Sequence, residues 1–415
     1  MVEIPSPGAE PTHERNPLTS VDLHTESQEL ASQLVSDRRQ LHQHPELSGQ
    51  ERQTARFIAE RLQQVGLGAR LLLDDTAVVA DVQGQSGDGR ALLLRADSDA
   101  LPIQERGEQR PYRSEVPGVM HACGHDGHVA IALSTAELLL RHRDQFSGSV
   151  RFVFQPAEET AAGAEPLIAA GVLEGPTVQA ALGLHLWSGQ KAGLVGVRDG
   201  AIFASADEFA LEVRGRGGHG ALPHQALDPV PIASLIVLAL QTLVSRETSP
   251  FQSTVVTIGT IQAGQAFNVI PETVSLTGTV RAFTNEDRER LLSRIAEVAQ
   301  GIAAAFGASA TMERKAGCPP VVCDPAMSDL VRRAVEQSPG AELIEPEPLT
   351  VGDDVGLFLR RVPGCYFLLG AGDPTSGISA PHHHPDFDID ERCLPIGVEV
   401  LARAALIYLA GDGRD

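Results

Sequence analysis

The stretch HACGHDGHVA, residues 121–130, concentrates side chains that bind metals or attack carbonyl groups. Its first eight positions hold three histidines, one cysteine and one aspartate, in a chain of 415 residues with 14 His and 5 Cys. Zinc-like ions take thiolate, imidazole and carboxylate ligands, and a thiol beside an imidazole can instead act as a nucleophile with its base. The stretch therefore indicates either a metal site reached by Cys123 and His125 from an extended turn, or a cysteine hydrolase in which Cys123 acts with His125 or His128.

Three apolar runs elsewhere in the chain end in polar side chains suited to the same chemistry. The run ALLL leads into Arg95, Asp97 and Asp99. The run VRFVF leads to Glu158 and Glu159, and AALGL leads to His185. In open α/β sheets, functional groups gather beyond the carboxyl ends of the strands. Together with HACGHDGH, these endings predict one catalytic site assembled from distant segments.

The two adjacent glutamates, Glu158 and Glu159, could have different functions in catalysis. A metal-assisted hydrolase needs one carboxylate that holds the ion and one free carboxylate that takes a proton from water. If the segment is extended, Glu158 and Glu159 point in different directions and can divide these tasks.

Composition limits the class of protein and its partners. A formal net charge of −21, with 42% hydrophobic and 21% charged residues, is typical of a soluble globular protein and argues against nucleic acid, which needs clustered Lys and Arg. The five cysteines are scattered, which predicts a reducing, cytoplasmic location with Cys318 and Cys323 as core or interface thiols. The longest apolar stretch, PVPIASLIVLALQTLV, is shorter than a membrane span, so we expect no membrane contact.

The order of the expected elements divides the chain into a tail and two domains. Residues 1–20 are proline-rich and lack an apolar signal-peptide core, which predicts a disordered tail. Residues 21–203 and 317–415 alternate apolar runs with helices, which predicts an α/β domain with a mostly parallel sheet. Residues 204–316 follow the order β-α-β-β-α-β, which predicts an inserted ferredoxin-like α+β domain. We expect part of the wide apolar face of its helix 228–246 to form a dimer contact.

Nine stretches of the sequence follow one another in a recognisable order. They are LHQHPELSGQE, LLLRADSDALPI, MHACGHDGHVAIAL, VRFVFQPAEE, GLHLW, GRGGHGALPH, FNVIPE, GTVRAF and HHHPDFDIDE. From about residue 30 to its end, the chain closely resembles the M20 metallopeptidase family. The resemblance is to the amidohydrolase branch, which includes hippurate hydrolases, N-acyl-amino-acid amidohydrolases and auxin-conjugate hydrolases.

The resemblance implies a site with two divalent metal ions, for which zinc is favoured over manganese, cobalt or nickel. Glu158 matches the family's general base, and Asp99 matches a residue that orients a ligand histidine. In the late cluster the family pattern is a histidine, a variable residue and then proline, which selects His383 before His382 and His384. The implied ligands are Cys123, His125, Glu159, His185 and His383.

The resemblance also implies roles for three residues of the inserted domain. His219 resembles a histidine that reaches the active site from a partner subunit and polarises the scissile carbonyl, which implies a homodimer or tetramer. Asn268 and Arg281 resemble groups that hold the substrate's carboxylate. Ser98 departs from the methionine that close relatives often have, and this bears on specificity and not on the chemistry.

The reaction implied is hydrolysis of the amide bond of an N-acyl or N-aroyl L-amino acid, which releases a carboxylic acid and a free amino acid. Carboxypeptidase or dipeptidase activity on short peptides by the same mechanism is the alternative. A binding or sensor protein with the same fold is a third reading, which the retained Glu158 disfavours because a pure binder has no need of a base. In VGDDVGLFL, Asp353 and Asp354 either line the pocket or cap a helix.

Overall fold

The computed structural model describes residues 22–107 and 110–411. The expected disordered tail, residues 1–20, lies outside the described residues. The first part of the chain alternates strands with helices as the sequence predicts. Its elements are α1 (Leu23–Glu29), α2 (Ala31–Gln43), α3 (Arg52–Gln64), β1 (Ala69–Leu72), β2 (Ala77–Gln83), β3 (Ala91–Asp97), α4 (His125–Arg141), β4 (Ser149–Gln155), α5 (Ala164–Ala169), β5 (Ala180–Lys191), β6 (Leu194–Gly196) and β7 (Gly200–Phe203).

The chain then builds a second, smaller sheet before it returns to the first. The elements of this middle part are β8 (Ala206–Arg214), β9 (Gly218–His219), α6 (Pro229–Ser245), β10 (Thr254–Ala263), β11 (Val269–Ile270), β12 (Thr273–Ala282), α7 (Asn285–Ala305) and β13 (Ser309–Cys318). The last part contains β14 (Val321–Cys323), α8 (Pro325–Glu336), β15 (Glu342–Ile344), α9 (Gly356–Leu359), β16 (Gly364–Gly372) and α10 (Leu394–Ala410).

The large sheet has eight strands in the order β1-β2-β4-β3-β5-β16-β6-β15. Its four central strands, β4, β3, β5 and β16, run parallel to one another, and antiparallel pairs occur between β1 and β2, β2 and β4, and β16 and β6. Every residue of β3, β4 and β16 is buried, as expected for parallel strands covered on both faces. The carboxyl ends of these strands meet at one edge of the sheet, where Asp97 pairs with Gln155 in register.

The smaller sheet has the strand order β10-β12-β8-β13 and is antiparallel throughout. Side chains alternate along β8 and β12, and the helices α6 and α7 pack with the buried set. Cys318 at the end of β13 pairs with Ala206 at the start of β8, so the chain enters and leaves this sheet side by side. The apolar core of this part is separate from that of the large sheet and includes Phe209, Leu211, Val213, Ile236, Leu240, Leu276, Leu291 and Ile295.

One helical segment, Glu391–Ala410, is long and apolar enough to cross a membrane by length and composition. However, 78% of it is buried inside the protein. Its helix α10 packs against α4 and α8. This burial is typical of the core helix of a globular domain, where an apolar surface faces other protein elements.

Candidate metal centre

Cys123 and His125 lie on either side of a sharp change of backbone direction. Gly124 has a φ of 91°, in the left-handed region, and α4 begins directly after it at His125. The expectation of one extended turn is therefore wrong for His125, which is the first residue of a helix. Both side chains still reach one centre, because the thiol of Cys123, the ring of His125 and the ring of His185 offer ligand atoms within 4.8 Å of one another.

Hydrogen bonds fix the orientation of the two buried histidines. Nδ1 of His125 lies 3.0 Å from the carbonyl oxygen of Asp99, and Nδ1 of His185 lies 2.8 Å from the carbonyl oxygen of Leu186. A carbonyl oxygen only accepts, so each Nδ1 carries a proton, which leaves Nε2 as the ring nitrogen available to a metal ion. Nε2 of His185 is 3.7 Å from Sγ of Cys123. The two rings thus present the nitrogen that a metal ion would bind.

The paired glutamates lie in a turn and not in the extended segment that the sequence suggested. Ala157, just before them, has a φ of 56°, which bends the chain as it leaves β4. Both carboxylates approach Nε2 of His125, each with an oxygen at 3.9 Å. Their other neighbours differ, because Glu159 lies 3.4 Å from Nε2 of His383 whereas Glu158 faces Asp353 and Asp354.

The carboxylate of Asp99 connects two of these segments. Its Oδ2 accepts a hydrogen bond from the backbone N–H of Glu159 at 3.0 Å, and its Oδ1 lies 3.3 Å from Nδ1 of His125. Asp99 is itself buried. It therefore holds a predicted ligand histidine and the backbone of a predicted ligand carboxylate at the same time.

The three consecutive histidines of the late cluster have different surroundings. His382 donates from Nε2 to the carbonyl oxygen of Leu186 at 2.9 Å and stacks on Trp187 with ring centroids 4.4 Å apart. His384 accepts the backbone N–H of Asp386 and is exposed. Only His383 among the three forms a candidate ligand group within the described residues, together with Cys123 and Glu159. The geometry thus favours His383, as the family pattern does.

Replacing His383 by alanine is expected to lower metal affinity at least about tenfold, since even residues that only orient ligands contribute that much. Metal content after dialysis, measured by elemental analysis, checks this result. His384→Ala is the matched control, because the adjacent ring is exposed and outside the group, and its metal content is expected to stay unchanged. Equal loss of metal in both variants would contradict the assignment.

The chemistry of the donor set fits divalent cations. Nε2 of His125 and Oε1 of Glu159 are buried and have no hydrogen-bond partner among the described residues. Burial opposes protonation of His125, but the carboxylates of Asp97, Asp99 and Glu159 outweigh it and raise its pKa to about 10. Burial, with the charges of Asp353 and Glu159, also raises the pKa of Glu158 well above its usual range. Such a concentration of negative charge calls for a cation.

The same concentration of negative charge makes the thiol of Cys123 a poor nucleophile. Burial, reinforced by Glu159 and Glu158, raises the pKa of the Cys123 thiol well above its ordinary value, whereas a reactive cysteine needs a lowered one. His128 is not free to act as its base. Its Nδ1 lies 2.5 Å from Asp97, and its Nε2 accepts the backbone N–H of Leu186 at 2.8 Å. The cysteine-hydrolase alternative is therefore not supported.

Arg95 lies beneath the site, and the sequence reading gave it no role. Its guanidinium is buried and lies 2.7 Å from Asp97, 3.0 Å from Asp353 and 3.0 Å from Asp354. The sequence predicts that Asp353 and Asp354 line the pocket or cap a helix, and neither role includes this pairing with Arg95. Asp353 does accept the N–H of Val355 just before α9. The network fixes three segments at the strand ends. A charged residue inside the apolar strand ALLLRAD was the available signal, because a buried charge requires partners.

A cavity of about 630 Å³ opens above these groups, between the two sheets. Arg281 of β12 lies on the wall opposite the candidate ligands, where its guanidinium donates to Oγ1 of Thr279 at 2.6 Å. Among the described residues, no carboxylate forms an ion pair with Arg281. Trp187, Phe203 and Val351 give the lining apolar and aromatic surface, and Asp207 and Glu208 add two carboxylates. The lining also includes Cys123, Glu158, Glu159, His185, Cys318, His382 and His383.

The structure does not bring His219 and Asn268 into this cavity of the same chain. His219 is exposed on β9, whose partner β11 begins at Val269, directly after Asn268. The carbonyl oxygen of Asn268 accepts the N–H of Gly220 at 2.8 Å. These two residues are therefore neighbours of each other but not of the candidate ligands. Cys318 and Cys323 are buried thiols, and Ser98 is buried and donates to the carbonyl oxygen of Gln155 at 3.0 Å.

Comparison with known proteins settles the family. The profile of peptidase family M20/M25/M40 matches residues 93–407. The chain belongs to the M20 peptidase family. An N-acetyl-L-cysteine deacetylase of Bacillus subtilis (strain 168) is 42% identical over 88% of this chain and 85% of its own length. Thermostable carboxypeptidase 2 of Saccharolobus solfataricus is 36% identical over 92% of this chain and 97% of its own.

The M20 fold is also seen in a solved relative. The crystal structure of a Bacillus subtilis protein described as a dinuclear metal-binding peptidase of the M20 family superposes with a TM-score of 0.81. It is 35% identical and covers 92% of this chain and 99% of its own. The α/β architecture and the resemblance inferred from the sequence are thereby confirmed. As an M20 protein the chain is a metal-dependent hydrolase that acts on amide bonds.

Proposed function

We propose that this protein hydrolyses the amide bond of N-acyl or N-aroyl L-amino acids and releases a carboxylic acid and a free amino acid. The observation that carries the proposal is the position of Glu158. Its carboxylate forms a group with the imidazole of His125 and the carboxylate of Glu159, while Arg281, which has no ion-pair partner among the described residues, lies on the wall that the small sheet contributes. A substrate with an amide and a carboxylate matches both walls.

Five side chains would hold two divalent ions, namely Cys123, His125, Glu159, His185 and His383. Cys123 belongs to the group with His125 and His185 and also to the group with Glu159 and His383, so it could hold an ion with either set. When bound, such ions polarise a carbonyl group and lower the pKa of water. Zinc suits this mixture of sulfur, nitrogen and oxygen donors, and manganese, cobalt or nickel would also be accepted.

Glu158 would move the proton during the reaction. Its carboxylate accepts a proton from the attacking water and afterwards donates it to the nitrogen of the leaving amino acid. Burial, with the charges of Asp353 and Glu159, raises the pKa of the Glu158 carboxyl, so its ionised form is a stronger base than that of an exposed glutamate. The other glutamate, Glu159, is held at its backbone by Asp99 and would stay a ligand.

The acyl group would lie against the apolar part of the cavity. Trp187 and Phe203 line it, with ring centroids 6.2 Å apart. Aromatic faces of this kind suit apolar or aromatic acyl groups. The carboxypeptidase alternative uses the same residues, because a C-terminal amino acid also offers an amide next to a carboxylate. The Saccharolobus relative is the observation that keeps it open.

We further propose that residues 204–316 form a lid and dimerisation domain, and that His219 acts on the cavity of a partner subunit. Exposed apolar side chains support such a contact, including Leu238 on α6 and Ile261 on the edge strand β10. Asn268 adjoins His219 through the β9–β11 pair and would move with it. A homodimer or tetramer is then the active form, and the buried free cysteines suit the cytoplasm.

Mixing two inactive variants tests the cross-subunit role. Equal amounts of His219→Ala and Glu158→Gln protomers are refolded or exchanged together. We expect the mixture to recover about one quarter of the unmodified activity, because half of the dimers are mixed and each mixed dimer has one intact site. The control mixes His219→Ala with a chain that carries both substitutions, and it should recover nothing. Verified mixed dimers without activity would contradict action across the interface.

The reaction itself is tested with a panel of N-acetyl, N-benzoyl and N-indoleacetyl amino acids alongside dipeptides. We expect hydrolysis of the acyl amino acids after loading with zinc or manganese, and complete loss of activity on treatment with a chelator. Activity that survives full removal of metal would exclude the proposed chemistry. Faster cleavage of dipeptides than of every acyl amino acid would favour the carboxypeptidase alternative.

A further inference from the structure

The segment LHQHPELSGQE, residues 41–51, has no part in the chemistry described so far. It ends α2, turns, and leads to Glu51 at the start of α3. Glu51 has no exposed surface, although it is a charged residue at a helix end, where such side chains ordinarily stay in water. It also makes no capping bond to its own helix. A buried carboxylate that does not cap its helix needs another explanation.

The partner of Glu51 lies in the loop that carries the general base. Its Oε1 accepts the backbone N–H of Ala157 at 2.8 Å and that of Gly49 at 2.9 Å. Ala157 directly precedes Glu158. Its φ of 56° lies in the left-handed region, which is unfavourable for a residue with a side chain. The hydrogen bond that the N–H of Ala157 donates to Glu51 holds Ala157 in this conformation and so sets the direction in which the chain enters Glu158.

Carboxylates from three distant segments hold the backbone of this loop. Glu51 accepts from Ala157, and Asp99 accepts from Glu159 at 3.0 Å. Asp354 accepts from the N–H groups of residues 163 and 164 at 3.2 and 3.0 Å. Asp99 and Asp354 also contact His125 and Arg95 respectively, so they have other tasks. Within the described residues, Glu51 bonds only to Ala157 and to its own turn.

The arrangement is costly for stability. Oε2 of Glu51 is buried and has no hydrogen-bond partner among the described residues, and an unsatisfied buried oxygen lowers stability. Burial raises the pKa of Glu51 to about 7, against the opposing effect of the N–H groups that it binds. An apolar side chain of similar size would avoid this cost. Such local conflicts are typical of positions kept for function.

We propose that Glu51 is a positioning residue for the general base: by accepting the N–H of Ala157 it fixes the carboxylate of Glu158 relative to Cys123 and His125. It touches neither substrate nor reacting atoms. The inference rests on the proposed function in that the reaction uses Glu158. The position of the loop itself can be measured without any reaction.

Three variants of the full, metal-loaded chain separate positioning from stability. Glu51→Met removes the acceptor and keeps the size, whereas Glu51→Gln keeps an oxygen that accepts the N–H of Ala157. Glu46→Met is the matched control. The Glu46 carboxylate lies in the same segment and accepts a backbone N–H, that of Thr54 at 2.8 Å, but it does not contact the loop of Glu158.

Hydrogen–deuterium exchange of residues 156–162 is the first measurement. Exchange is expected to rise about tenfold or more in Glu51→Met, since the amide loses its acceptor. It should stay near that of the unmodified protein in Glu51→Gln and Glu46→Met. Unchanged exchange in Glu51→Met overturns the inference, and so does an equal rise in Glu46→Met. This result stands even if the chain hydrolyses no acyl amino acid, in which case only the proposed function fails.

Kinetics per metal-loaded chain are the second measurement. In Glu51→Met, kcat is expected to fall about 10- to 100-fold, as for a displaced catalytic group, while KM stays within about threefold. Glu51→Gln should restore most of kcat. A merely structural role would lower the melting temperature and the folded fraction in both variants and leave kcat per loaded chain unchanged, and that outcome contradicts positioning.

Discussion

Replacing Glu158 by glutamine is expected to lower kcat about 10²- to 10⁴-fold, the range that a positioned general base contributes. Glutamine keeps the size of the side chain but cannot accept a proton from water. Because Glu158 would not be needed as a ligand, metal content should stay that of the unmodified protein. Steady-state kinetics together with elemental analysis of the same sample measure both quantities.

Glu159→Gln provides the matched comparison, since it makes the same chemical change one residue further along. Glu159 forms a group with His383 and Cys123, and its Oε1 is buried and has no hydrogen-bond partner among the described residues. Loss of its charge is expected to release metal, and added metal should restore part of the activity. If both variants lose metal equally, or if Glu158→Gln alone loses it, the two roles are assigned wrongly.

The contrast between these glutamates was predictable only in part. A carboxylate pair at the end of an apolar strand indicates that two tasks can be divided, and the family pattern assigns them. Their directions depend on the backbone of Ala157, whose left-handed φ no local pattern signals, because alanine rarely adopts it. The sequence suggested an extended conformation, whereas the structure has a turn. Carboxylates from other segments accept hydrogen bonds from the backbone of this turn.

Most long elements follow from local sequence. The helix expected over 228–246 is α6 (Pro229–Ser245), which starts after the capping residue Asp228, and the run VRFVF lies in β4 (Ser149–Gln155). Short strands such as β15 (Glu342–Ile344) were missed, because three residues carry no periodicity and the pairing with β6 defines the strand.

The pairing of the supporting charges could not be predicted from the sequence for a related reason. Arg95, Asp353 and Asp354 lie far apart in the chain and become partners only when β3 and the segment before α9 meet in the fold. The sequence shows that a buried cation needs anions, but it does not show which ones. The candidate ligands could be predicted because the chemistry of metal binding restricts residue types. A hydrogen bond that a backbone N–H donates to Glu51 restricts the sequence much less.

Arg281→Ala is expected to cost about 2–4 kcal/mol in transition-state binding of acyl amino acids, in line with the loss of one partner of a buried charge pair. This corresponds to a decrease in kcat/KM of about 30- to 1,000-fold. Arg281 is half-buried, and burial lowers the pKa of its guanidinium, partly offset by Cys318 and Asp207. Its contacts within the protein are to Oγ1 of Thr279 and to the carbonyl oxygen of Val280.

Two controls show whether the loss arises from carboxylate binding. Arg214→Ala removes the same charge from an exposed position of the same sheet, where Arg214 pairs with Glu212 and does not line the cavity, so kcat/KM should change less than about twofold. Arg281→Lys keeps the charge but loses the planar fork that binds a carboxylate through two hydrogen bonds, and an intermediate loss is expected.

Neutral substrate analogues test whether Arg281 binds the carboxylate of the substrate. A protein with a formal net charge of −21 repels anions at long range, so an anionic substrate gains its affinity from local donors. The amides of the same acyl amino acids have no carboxylate, and the unmodified enzyme should cleave them poorly. Arg281→Ala should then remove most of the difference between acid and amide, because both substrates meet the same wall. Equal rates on acids and amides in the unmodified enzyme would instead mean that Arg281 serves the fold of the small sheet and that recognition lies with the acyl group alone.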